Sequence, residues 1–301
     1  MKNRNLKYQF LQAINYFFKE KQDKHNDKKN GIRNTEKIYS YAARTNLINL
    51  SAEFSNYMKQ VHSDVKLVKD VNSNHVQEFL NSKTESCSQK TLEQYQSQFR
   101  KLEKVVVGKY GYSVDYQAVV PLSVKNGGGK IRNQMLEDKD FDMLVGSCTN
   151  QNLIKGILLS RYFGLRASEC TKLKLSDCEE KEIHIVDSKG KRNRTIYICN
   201  QNQRDTIQYI FSHTQGNRIC DCQTESLQQA FRRELKKTGL SEKYKNGAFH
   251  LCRKTFITEQ YQNFREEGET VQVSLDKCSC ILGHNKNRNK LMKEYICCPI
   301  V

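Results

Sequence analysis

The chain lacks any apolar run approaching the ~18–20 residues of a membrane span. Its start, Met1-Lys-Asn-Arg-Asn, leads into an amphipathic stretch holding Gln12 and Asn15, not into an apolar leader. A membrane or secreted protein is therefore not expected, and a cytoplasmic one is. Cysteine pairs at zinc-site spacing are lacking too. Among the twelve cysteines, Cys220/Cys222 and Cys278/Cys280 are separated by a single residue and Cys297/Cys298 are adjacent. Structural zinc usually places about two to four residues between paired thiolates. In a long chain without an export signal, reduced thiols and no metal are the expectation. No aromatic-rich RNA-binding motif is found, which disfavours a basic RNA-binding module. Acidic residues are in short supply: 33 Asp and Glu stand against 50 Lys and Arg, so the formal net charge is 50 − 33 = +17.

What the chain does have is length, apolar content and positive charge. Its 301 residues suit about two domains. With 37% hydrophobic and 28% charged residues it can bury real cores and is neither fibrous nor wholly disordered. A sequence pI of about 9.3 meets the threshold for a nucleic-acid partner, provided the charge is laid along surfaces. Each phosphate neutralised releases condensed counterion, so such a chain gains affinity for duplex DNA whatever the base sequence. A basic protein with no such partner, or one that binds anionic membrane, is the competing reading of charge alone.

The apolar pattern divides the chain. Residues 1–40 hold ten Lys and Arg against four Asp and Glu, and within them Leu6, Phe10, Ile14 and Phe17 fall at helical spacing. Residues 21–31 carry no apolar side chain before Gly31 and read as a solvated loop. A second helix is expected over residues 35–59, short helical signals surround Val76, Phe79 and Leu80, and Leu92, Tyr95, Phe99, Leu102 and Val106 mark another helix. These stripes read as core. The pattern breaks near Pro121, followed by Lys125-Asn-Gly-Gly-Gly-Lys130, with Arg132 beyond. Glycine runs are flexible connectors; an ordinary surface loop is the blander reading. The expected organisation is therefore a helical domain over residues 1–124, a basic linker over 125–133, and a second domain over 134–301. In the second domain Leu153, Ile154, Ile157, Leu158 and Tyr162 form a helix face that Gly164 can end. Ile183/Ile185 and Ile196/Ile198 alternate around Ser188-Lys189-Gly190-Lys191, a β-hairpin pattern with a lysine-rich tip. Helical patterns then return. The fold class is mainly α with a small β-sheet.

Five short pieces stand out in order: Gly164-Leu-Arg166-Ala-Ser-Glu169, Lys189, His250-Leu-Cys-Arg253, Leu282-Gly-His284 and Tyr295. Each alone is weak. An arginine after a helix-ending glycine is usually a surface charge, hairpin lysines usually serve solubility, and Tyr295 is one of 15 tyrosines.

Together and in sequence order they resemble the tyrosine recombinases, the phage-integrase family, over nearly the whole chain. The resemblance implies an N-terminal core-binding domain and a C-terminal catalytic domain. It makes Arg166 the first catalytic arginine, Glu169 the acidic position three residues on, and Lys189 the hairpin lysine. His250 and Arg253 fall on the H-x-x-R motif, His284 on the last histidine box, and Tyr295 on the nucleophile. Two departures from the family pattern are visible. The interval from His284 to Tyr295 is eleven residues, longer than in many members, with the excess in the basic run 285–290. Six residues follow Tyr295, too few for the C-terminal helix by which relatives reach a neighbouring subunit, which leaves subunit communication open.

The chemistry asks for these residue types. Attack on a phosphodiester gathers charge on equatorial oxygens, and preorganised donors that meet developing charge are usually the largest catalytic term. Arg166 and Arg253 present planar forks that grip two oxygens at once. His250 and His284 add donors, and His250 can take the tyrosine proton. Phenol titrates near ~10 and needs such help. Lys189 can protonate the departing 5′-oxygen, while Glu169 orients the arginine–histidine shell. The arginines take the electrostatic role a metal has elsewhere, so no cofactor is expected. The resemblance implies a 3′-phosphotyrosyl intermediate, no ATP, and a homotetramer that joins two duplexes at specific recombination sites through a Holliday junction. It also allows for an accessory directionality protein. Lys125, Lys130, Arg132, Lys191, Arg192, Arg194, Lys286 and Arg288 are expected to meet DNA, mostly at phosphates. Integration and excision of a mobile element is the first expectation. Resolution of chromosome dimers or plasmids, DNA inversion, type IB topoisomerase-like relaxation, and a DNA-binding protein without activity are the competing readings.

Overall fold

The structure, a computed structural model, describes residues 5–20, 22–33, 35–125, 134–188, 192–245 and 249–300. The chain divides into two compact units, Met1–Gly129 and Lys130–Val301.

The first unit is built from α1 (Leu6–Phe17), α2 (Lys24–Lys29), α3 (Tyr41–Val61), α4 (Ser73–Ser82) and α5 (Gln89–Tyr110). Polar side chains start these helices where the sequence offers them. Asn5, Ser40, Asn72 and Ser88 each accept from a backbone N–H of the first turn, which satisfies donors that have no partner inside the helix. The stripes become one core of Phe10, Ile14, Phe54, Met58, Phe79, Phe99, Leu102 and Val106. Phe54 meets Phe79 and Phe99 edge-on, with centroids 5.4 and 5.0 Å away, the geometry that ring quadrupoles favour.

Two expectations are corrected in this unit. The helix expected from residue 35 begins at Tyr41, because Ile38 pairs with Phe18 in an isolated parallel bridge and Ser40 then caps. The polar stretch expected as loop contains α2. Asp23 accepts from the N–H groups of His25 and Asn26, and Asp27 is held by Lys37 and Tyr39 at 2.9 and 2.7 Å. Those bonds stand in for the missing apolar face.

The second unit contains α6 (Asp138–Ser147), α7 (Gln151–Phe163), α8 (Ala167–Cys170), β1 (Glu182–Ser188) and β2 (Arg192–Tyr197). Then come α9 (Gln201–Ser212), α10 (Thr224–Lys237), α11 (His250–Glu266), α12 (Val271–Ile281) and α13 (Asn289–Tyr295). The antiparallel pair β1–β2 sets Ile183 opposite Ile196 and Ile185 opposite Arg194, and its register shifts between Ile185 and Ser188. Helix α11 is buried on every side from Leu251 to Thr258, the pattern of a helix enclosed by its unit. Leu251 and Cys252 belong to the larger apolar core, whereas Phe256, Ile257 and Tyr261 belong to a second one with Leu275, Leu282, Met292 and Ile296. The helix thus joins the two cores, and Arg253 sits between its contributions to them. The chain is mainly helical with a small two-stranded sheet. Among the described residues, no helix is long and apolar enough to cross a membrane.

Candidate active site

Helix α7 ends on Gly164, whose φ of +65° is left-handed. Glycine is required there twice over. Other residues resist that conformation, and a Cβ would lie 2.5 and 2.7 Å from atoms of the Phe256 ring. The turn delivers Arg166 to the start of α8 and the Gly164 carbonyl oxygen to Arg253, which donates to it through Nη1.

Glu169, only 4% exposed, is where the site converges. Its carboxylate accepts from the Arg166 backbone N–H at 2.9 Å and from Arg166 Nη1 at 2.7 Å. Ser188, at the end of β1, donates to Oε1 at 2.6 Å. Arg194 on β2 grips both oxygens, at 3.0 and 2.9 Å. Arg253 Nη1 stands 3.7 Å from Oε2. Three guanidiniums against one carboxylate leave a local charge of +2. Burial alone would raise the Glu169 carboxyl, but the arginines outweigh it and hold the group well below the usual carboxylate range. For Arg253, fully buried, desolvation and the neighbouring Arg166 push the guanidinium below its ordinary value. Its Nε and that of Arg194 are buried without a hydrogen-bond partner among the described residues. Such a pocket is short of negative charge, and an anion would relieve it.

Helix α12 closes the site from the other side. Its end is a double turn in which the Gly283 N–H donates to Cys280 O and the His284 N–H to Ser279 O, both at 2.8 Å, with Gly283 left-handed at φ +75°. The Leu282 carbonyl so exposed accepts from Arg253 Nη2 at 2.8 Å and Arg166 Nη2 at 3.4 Å. Two residues on, His284 places Nε2 3.0 Å from Arg166 Nη2. Beyond it the chain is fastened to α12: Ser279 Oγ donates to Asn285 O at 2.7 Å and the Asn287 N–H to Asp276 at 2.6 Å. Met292, fully buried, anchors α13, and Tyr295 follows one turn later, half-buried. The Tyr295 ring centroid is 6.2 Å from that of His284 and 5.7 Å from Arg253 Cζ. Ile296 is buried and the Cys297 N–H donates to Thr258 Oγ1 at 3.0 Å, so the segment carrying Tyr295 docks on α11 of its own chain.

The structure therefore brings together Arg166 and Glu169 from α8 and its cap, Arg253 from α11, His284 from just beyond α12 and Tyr295 from the end of α13. His250 opens α11 one turn before Arg253 and is exposed. Lys189 lies outside the described residues. Of the residues expected to meet DNA, Lys130, Arg132 and Lys191 also lie outside them, and Arg192 lies on β2. Lys286 and Arg288 are exposed, and Lys125, also exposed, donates to Ser86 O at 2.9 Å. Arg194 differs from expectation. Its side chain is 10% exposed and committed to Glu169, so it is part of the buried cluster and not of a DNA-facing surface. A signal was present in the sequence: the alternation of Ile196 and Ile198 puts Arg194 on the inward face of its strand. Ser188 joins the cluster on the opposing strand.

No protein-family model matches the chain, and no curated protein matches it. Solved structures do. A lambda integrase dimer bound to a COC′ core site aligns over 91% of this chain and 77% of its own, at 14% identity and a TM-score of 0.62. A lambda integrase tetramer bound to a Holliday junction aligns over 92% and 86%, at 14% identity and a TM-score of 0.60. XerH recombinase bound to palindromic difH substrate, in a post-cleavage complex, aligns over 98% and 93%, at 13% identity and a TM-score of 0.57. This chain has the fold of those recombinases.

Proposed function

We propose that the chain is a site-specific DNA recombinase that cuts and rejoins strands through Tyr295. The observation that carries this reading is the convergence of Arg166, Arg253, His284 and Tyr295 around the buried Glu169 carboxylate. Two arginines beside a phenol suit an anionic diester as substrate. Arg166 and Arg253 hold its non-bridging oxygens and meet the charge that grows on them during attack. Tyr295 Oη bonds to phosphorus as the bond to the 5′-oxygen breaks. The phenol proton leaves by way of His250, and Lys189 protonates the departing oxygen. Glu169 orients Arg166, and His284 fixes its far side. The phosphotyrosine keeps the ester, so a 5′-hydroxyl can reverse the step without ATP.

The assemblies named for the structural neighbours, a dimer on a core site and a tetramer on a Holliday junction, support a DNA-bound oligomer here. In the fuller reading four protomers join two duplexes and exchange strands in pairs, in a DNA-associated and cytoplasmic setting. The helical domain of residues 1–124 binds the core site, residues 125–133 link it to the catalytic domain of residues 134–301, and integration or excision of a mobile element is the outcome. An accessory directionality protein would bias one direction over the other.

Covalent trapping tests the chemistry. Nicked suicide duplexes drawn from DNA flanking the gene are incubated with wild type and with Tyr295→Phe in EDTA, then resolved on denaturing gels. An adduct formed by wild type alone is expected. An adduct of equal yield with Tyr295→Phe would remove the tyrosine from its role.

A further inference from the structure

Arg194 is the one guanidinium of the buried cluster to which the proposed chemistry gives no task. It lies opposite Ile185, at a strand position whose neighbour on the same face, Ile196, is core. A charge at such a position is costly unless paired, and it is paired bidentately, Nη1 and Nη2 each on one oxygen of Glu169. Arg194 also touches the last histidine box. A Cβ on Gly283 would lie 3.0 Å from its Nη1 and 3.2 Å from its Cδ, so the residue before His284 packs directly on this side chain. In the sequence it stands five positions after Lys189.

We propose that Arg194 is a positioning residue. By fixing both oxygens of Glu169 it sets the direction in which that carboxylate presents Oε1 to Arg166. By its contact with Gly283 it sets how closely the His284 segment approaches. It acts on the reacting phosphate only through Arg166 and His284. This inference rests on the recombinase reading and deepens it. Lysine cannot reproduce the fork, because a single ammonium reaches one oxygen well and the other poorly. If Arg194 instead contacted DNA phosphate, its removal would weaken binding and flatten the salt dependence of binding by about one in the log–log slope.

The two roles separate cleanly. Wild type, Arg194→Gln, Arg194→Lys, Glu169→Gln and the double variant Glu169→Gln/Arg194→Gln are compared on the nicked suicide duplex at saturating DNA. Single-turnover adduct rates are read alongside DNA affinity, its salt slope and thermal unfolding. Misplacing a catalytic group by about an ångström can cost about 100-fold, and Arg194→Gln is expected to slow adduct formation by that order. Affinity and salt slope should stay at wild-type values. Arg194→Lys should recover part of the rate, and the double variant should be no slower than Glu169→Gln alone. Wild-type adduct rates in Arg194→Gln, or a salt slope lowered by about one with the saturated rate intact, would overturn the proposal. If Arg194→Gln does not fold, Arg194→Lys decides, and an unchanged rate in that folded variant counts against it. No adduct from wild type would defeat the recombinase reading itself, whereas slow variants beside an active wild type concern Arg194 alone.

Discussion

Arg166 Nη2 lies 3.0 Å from His284 Nε2, and only the histidine can be the acceptor. Arginine has donors and no acceptor, so Nε2 carries a lone pair and the ring proton of the neutral imidazole sits on Nδ1. Nitrogen NMR of ¹⁵N-histidine-labelled, DNA-free protein should therefore show His284 Nε2 as an unprotonated ring nitrogen. A protonated Nε2 in the folded protein would contradict the pairing.

Glu169 should make stability depend on pH in a definite direction. Its carboxyl is held below the ordinary value of 4.5, so the folded state binds the proton less readily than the unfolded chain. The stabilisation is complete above that value and is lost as pH falls through and below it. Removing one partner of a buried ionic cluster typically costs about 3–5 kcal/mol. Urea unfolding at pH 7 should show Glu169→Gln less stable by that order, and the gap from wild type should narrow at pH 3–4 (~0.5–1.5 units below the carboxyl's ordinary value). A gap that stays constant with pH would mean that the carboxylate charge is not what holds the arginines.

Gly164→Ala should damage fold and chemistry together. Left-handed backbone costs a non-glycine residue about 1–2 kcal/mol, and overpacking against Phe256 adds about 1–3 kcal/mol. The Gly164 carbonyl also receives Arg253, so adduct formation should fall even at temperatures where the variant remains folded. Wild-type melting and wild-type cleavage would show that this turn can relax without consequence.

Tyr295 is packed on its own chain through Met292, Ile296 and the bond from the Cys297 N–H to Thr258. Delivery of the nucleophile within one protomer is the expected outcome. Mixing Arg166→Ala with Tyr295→Phe should then give no adduct, since neither protomer owns both groups. Restored cleavage in the mixture would mean that the segment leaves its dock and serves a neighbour's site.

Much of this was legible in the sequence because apolar side chains recur at helical spacing. Phe10 and Ile14, Phe99 and Leu102, and Leu153 and Ile157 all became core. Helix α2 was not legible. It has no apolar face and is held by Asp23 capping and by Lys37 and Tyr39 on Asp27, contacts formed across a turn and invisible to periodicity. The order of the site boxes was plain, but the depth of the cluster was not. Arg194 follows Lys189 and Lys191 closely in the sequence, and its charge read as outward. Strand alternation says inward, and the buried carboxylate that makes this tolerable lies 25 positions away.

The connection from His284 to Asn289 has a consequence for how intervals along a chain are interpreted. Eleven positions separate the histidine from the tyrosine, yet the spare length is not slack. It is folded back on α12 through Ser279 and Asp276, with Asn287 left-handed at φ +59°. A tether attached at several points has the reach of its last free span, not of its residue count. The reach of Tyr295 is therefore set by where Asn287 is fastened, and loosening its bond to Asp276 would lengthen that reach as an added residue would.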